Sequence, residues 1–94
     1  MTSIVLKHPT PKKYTPSQIH ALVCEHKAEW CKLPELQRMY HSRKASRVTS
    51  IAWEWYAGIN SVEQVALQFG VSVDTVHALG HILSVEPIRR QPPA

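Results

Sequence analysis

The segment SVEQVALQFGVSVDTVHALGHIL, Ser61 to Leu83, constrains the fold more than any other stretch of this chain. Val62, Val65, Ala66 and Phe69 recur at helical spacing, and Val73, Val76, Leu79 and Leu83 do the same further on. Gly70 stands between the two stripes, where a left-handed residue stops one helix and turns the chain. Ser61 precedes Gln64 by the three residues of a capping box. Ser72 caps the second helix, and Asp74 in its first turn complements the helix dipole. Gly80 weakens that helix by about 1 kcal/mol relative to Ala, so its end is expected to fray.

The preceding residues also read as helical. Thr15, Pro16 and Gln18 open a first helix predicted from Pro16 to about Cys31, with Ile19, Leu22, Val23, His26 and Trp30 along its stripe. Pro34 interrupts it and starts a second, PELQRMYHSRK, apolar at Leu36, Met39 and Tyr40. Ser46 or Thr49 caps a third through Ala57, with Val48, Ile51, Ala52, Trp55 and Tyr56 facing inward and Gly58 ending it. The expectation is an all-α protein of about five helices, an N-terminal pair followed by a C-terminal trihelical unit. Residues 1–15 read as a basic, Pro-containing arm in which Ser3–Leu6 is a short strand candidate. Residues 16–86 read as one domain and 87–94 as a flexible tail.

Composition excludes several classes. With 94 residues and only three Gly, the chain has room for one small helical core. No apolar run reaches the ~20 residues of a membrane span, and the N-terminus lacks a signal-peptide pattern. A soluble cytoplasmic protein without a disulfide framework is expected, with Cys24 and Cys31 as free thiols.

Residues 47–83 resemble the trihelical helix-turn-helix domain of small bacterial and phage transcription regulators. The resemblance rests on small Ala66 where two helices cross, on the turn at Gly70, and on apolar Val65, Phe69, Val71, Val76 and Leu79 in the wedge between them. It implies that the fifth predicted helix reads double-stranded DNA from the major groove. Its reading residues would be Ser72, Val73, Asp74, Thr75, His77, Ala78 and His81. Ser72 and Thr75 would hold a phosphate at the helix N-terminus, and His77 would reach a purine acceptor. Val73 or Ala78 would touch a thymine methyl, and Asp74 a cytosine amine. This sequence departs from the family pattern in having no Lys or Arg from Ser61 to Leu83.

Positive charge therefore has to come from elsewhere. The net charge is +4 with His neutral. Arg38, Arg43, Lys44 and Arg47 follow one another with no acid between them. With Lys12 and Lys13 in the arm, they are the expected phosphate contacts, since phosphate neutralisation supplies most non-specific affinity for a duplex. Protonation of His77 and His81 below about pH 6.5 would add charge to the reading face itself.

Paired half-sites favour a homodimer, with Trp30, Tyr40 and Trp53 as its candidate aromatic interface. Packing of the first helix over Trp53 is the alternative role for that residue. His20, Cys24 and Cys31 share one helix face and His77 and His81 another, but neither group has a recognised zinc spacing. No metal, no cofactor and no catalytic residue are expected. The sequence thus reads as a small, repressor-like DNA-binding regulator. The alternative is a protein-interaction module on the same scaffold, binding a host transcription protein or another regulator through its uncharged fifth helix.

Overall fold

Thr15 and Ser61 open their helices by the reciprocal bonding that the sequence predicts. A computed structural model describes residues 13–88. In α1, Pro16–Glu25, Thr15 Oγ1 accepts the Gln18 amide at 3.2 Å, and Gln18 Oε1 accepts the Thr15 amide at 2.8 Å. In α5, Val62–Phe69, Ser61 and Gln64 repeat the exchange at 3.2 Å in both directions. Between these lie α2, Lys27–Trp30, α3, Pro34–His41, and α4, Ser46–Ala57; α6, Val73–Leu83, completes the set. The described residues are all-α, with no strand, and no helix among them is long and apolar enough to cross a membrane.

The first predicted helix is two helices. It breaks at His26, whose backbone leaves the helical region (φ −102°, ψ 18°). The break turns the Trp30 indole back so that its N–H donates to the Val23 carbonyl at 2.7 Å, deep in the core. Buried indole nitrogens need such a partner. The second predicted helix is shorter than the expected span PELQRMYHSRK. It ends at His41, and α4 begins at Ser46 with Ala45 as its N-cap and no side-chain cap. Neither Ser46 nor Thr49 plays the capping role expected of it.

Three helices terminate in one way. Arg43, Gly70 and Ser84 take left-handed φ values of 62°, 69° and 56°. Each donates its own amide three residues back, to Tyr40, Leu67 and His81. The next amide in each case, Lys44, Val71 or Val85, donates five residues back, to Met39, Ala66 or Gly80. This is the Schellman arrangement, which satisfies carbonyls that a helix end leaves open. Gly70 adopts it without steric cost, whereas Arg43 and Ser84 each carry a Cβ into a region that costs about 1–2 kcal/mol.

Helix α4 packs against α1, α3, α5 and α6. Its inward face is Val48, Ile51, Ala52 and Tyr56, all buried. Ile19 and Val23 of α1, Leu36 of α3, Val62, Val65 and Ala66 of α5, and Val76, Leu79 and Leu83 of α6 complete the core. Tyr56 ties down both ends of the described chain. Its hydroxyl accepts the Tyr14 amide at 2.8 Å, its ring meets Tyr14 edge-on at 5.4 Å, and its carbonyl accepts the Ile88 amide at 2.9 Å. Tyr14 and Ile88 therefore pack on the core, although the sequence reading assigned them to the arm and the tail.

Gly80 does not fray the last helix. It is buried where α6 crosses α4, and a Cβ built there would lie 2.4 Å from Cε2 of the Trp55 indole. That indole is fixed by donation from Nε1 to the Val85 carbonyl at 2.8 Å. Gly80→Ala is expected to destabilise the protein by about 1–3 kcal/mol through overpacking. In a Trp55→Leu background the same change should become neutral or favourable by up to about 1 kcal/mol, the helix-propensity difference. Urea unfolding of the four variants measures the coupling. Arg43→Gly should raise stability by about 1 kcal/mol by relieving the left-handed backbone, read as an upward shift in Tm.

Candidate nucleic-acid interface

The turn from α5 to α6 is built by Gly70, Val71 and Ser72. Val71 is buried beneath it with Val65, Ala66, Val76 and Leu79, so the wedge between the helices is filled as the sequence predicts. Phe69 is half-buried at the outer edge of that wedge, and the Arg47 guanidinium lies 5.4 Å from its ring centre. Arg47 thus spans from the first turn of α4 to the end of α5.

Beside this turn lies a cleft of about 390 Å³. Arg38 and Met39 line it from α3, Lys44 from the following loop, Arg47 from α4, and Phe69, Gly70 and Val71 from the turn. Three of the four mid-chain cations therefore share one concavity at the N-terminal end of α6. None of the three has an ion-pair partner within 4 Å among the described residues. Arg43 does not line the cleft; it is exposed in the loop before α4. Lys13 is exposed ahead of α1, and Lys12 lies outside the described residues.

One carboxylate shares the cleft, and it changes the expected role of α6. Glu35 Oε1 accepts the Ser72 amide at 2.9 Å, the Ser72 hydroxyl at 3.0 Å and the Thr75 hydroxyl. Ser72 Oγ in turn accepts the Thr75 amide at 3.2 Å. The helix N-terminus is therefore already served by an anion from within the chain, as its dipole favours. Ser72 and Thr75 do not present free phosphate donors, and Thr75 is buried. The expectation that they hold a phosphate is corrected by this contact. Donation by the Ser72 amide, then by the Thr75 hydroxyl, holds the Glu35 carboxyl below its usual value of 4.5, and Arg38 acts in the same direction.

The remaining α6 residues divide by exposure. Asp74, His77 and His81 are exposed, Ala78 is half-buried, and Val73 is half-buried against the core. His77 and His81 border a second groove, with Trp55 and Glu86, in which His77 meets the Trp55 indole edge-on at 5.3 Å. The basic cleft and the histidine groove have no lining residue in common.

The three aromatics expected at a dimer interface differ in exposure. Trp30 is only 2% exposed and belongs to the core, so it is not a dimer contact. Trp53 is half-buried, packed against the core and tilted on Tyr56 at 5.3 Å. Tyr40 is the exposed one, and its hydroxyl accepts from Lys27 Nζ at 2.7 Å. No group of three or more His, Cys, Asp or Glu side chains converges as a metal site among the described residues. Compared with protein-family models, with curated proteins and with solved structures, the chain shows no match.

Sequence reasoning missed Glu35. Within its own helix it looks like an ordinary first-turn acid, and its partners lie 37 and 40 residues downstream. A depressed carboxyl stabilises the fold above its unfolded value, and that contribution is lost as pH falls through the folded value. Urea midpoints should therefore drop as pH is lowered below about 4.5. Glu35→Gln should be less stable than the native protein at pH 7 and lose part of this acid sensitivity.

Proposed function

We propose that this chain is a small, repressor-like DNA-binding regulator of helix-turn-helix type, acting in the cytoplasm as a homodimer. Helices α4, α5 and α6 form the trihelical unit, and α6 lies against the duplex. The observation that carries this reading is the convergence of Arg38, Lys44 and Arg47, without ion-pair partners among the described residues, on the cleft beside the α5–α6 turn. Cations held in a concavity focus the field toward a polyanion, and each phosphate they neutralise releases counterions. Direct reading of bases falls to Asp74, His77, Ala78 and His81, a modest set that matches weak sequence preference resting on backbone grip. Exposed Tyr40 and half-buried Trp53 remain as aromatic contributors to the dimer.

A second reading is favoured by a different observation. Leu67 is 83% exposed on α5, Ile59 is 71% exposed before it, and the exposed strip of α6 carries no Lys or Arg. Such a surface fits a protein partner, and the chain would then be an interaction module on the same scaffold.

Binding to random-sequence duplex across a salt series separates the two. A dimer with about 8 phosphate contacts gives a log–log salt slope near −7. Arg38→Ala and Lys44→Ala should each weaken binding and flatten the slope by about 0.9 per contact removed. Lys32→Ala, an exposed cation outside the cleft, should leave both unchanged. Salt-insensitive binding, or equal effects of all three substitutions, would remove the cleft from the mechanism. No duplex binding at low salt would leave the protein-interaction reading.

A further inference from the structure

A different cluster sits on the other elements packed against α4. Ile19 and Val23 turn inward from α1, which sets the next residue on each turn, His20 and Cys24, at the edge of the α1–α4 seam. Thr49 follows buried Val48 on α4 and meets them there. Cys24 Sγ lies 3.5 Å from His20 Nε2, and His20 Nδ1 lies 3.0 Å from Thr49 Oγ1. With the ring proton on Nδ1, His20 donates to Thr49 and leaves Nε2 to accept the thiol hydrogen. This is the order of a nucleophile, a base and a group that orients the base.

The thiol opens on a built cavity. A pocket of about 220 Å³, with an almost wholly apolar lining, is bounded by Cys24, His20, Val23, Trp30, Tyr40 and Ala45. Lys27 lines it too, held by its bond to the Tyr40 hydroxyl and lying 4.2 Å from that ring's centre. Cys31, the other free thiol, does not line this pocket.

We propose that Cys24 is a nucleophilic thiol, activated by His20 and positioned by Thr49, that captures small electrophiles with an apolar body, of the α,β-unsaturated carbonyl class. The thiol proton passes to His20 Nε2 as Sγ bonds to the β-carbon. The carbon–carbon π bond breaks, and the proton returns from the imidazolium to the α-carbon. One thioether forms, with no leaving group and no change in redox state that needs a partner. The apolar pocket seats the substituent of the electrophile beside the sulfur.

The probe is N-ethylmaleimide, with the modified cysteine identified by mass spectrometry in the full chain. Folded Cys24 should react at least about tenfold faster than the same thiol in the urea-unfolded chain, since simple exposure never exceeds the unfolded rate. His20→Gln should remove most of that advantage, and Thr49→Val should remove part of it, with Cys31 unaffected and helical content retained. Thr49→Ser, which keeps the hydroxyl, should restore the rate. Folded and unfolded rates that are equal would overturn the proposal, as would a folded His20→Gln protein that reacts like the native one. If His20→Gln does not fold, the Thr49 pair decides the matter by the same comparison.

Discussion

Burial of one face of α4 is the constraint on which the rest of this molecule depends. Val48, Ile51, Ala52 and Tyr56 share one buried cluster with residues of each other helix. Each large side chain among them contributes about 1.5–3 kcal/mol when fully removed from water. In a domain this small, such contributions are a large share of the net stability. The same helix sets the geometry on both of its sides. Toward the C-terminal pair, Trp55 presses its indole onto the backbone of Gly80 and bonds Val85. Toward the N-terminal helices, Thr49 reaches His20 across the seam.

A second tie crosses the core's edge. Glu35 joins α3 to the first turn of α6 through a single carboxylate oxygen that serves three donors. Its energetic logic is that of a capping anion supplied from a distance: the helix end offers partial positive charge, and the acid supplies the complement. The consequence is a separation of charge between neighbouring elements. Glu35 holds the Ser72 cap at the N-terminus of α6, while the cations Arg38, Lys44 and Arg47 line the cleft alongside.

Much of this was legible locally. The capping boxes at Thr15 and Ser61, the turn at Gly70 and the stop at Gly58 follow from hydrogen bonds and backbone freedom within a few residues. The apolar wedge of Val65, Ala66, Val71, Val76 and Leu79 follows from periodicity. The misread boundaries share a cause. The first helix breaks at His26 because Trp30 gains burial and a carbonyl partner by folding back, which no local propensity signals. The second ends early because Arg43 adopts a left-handed turn that the sequence marks with neither Gly nor Asn.

By itself the sequence determined that this chain is helical, where most helices begin, and that the cations are concentrated outside the last two. Those properties arise from short-range hydrogen bonding, from side-chain periodicity and from simple composition. Only the tertiary structure decided that Trp30 is core, that Gly80 is a crossing point, that Glu35 braces the Ser72 cap of α6, and that three cations meet in one cleft while His20 meets Cys24 beside another. Apart from the His20–Cys24 contact within α1, each of these depends on which face a helix turns toward a neighbour distant in sequence. That choice is made by the packing of the whole core and not by any segment alone.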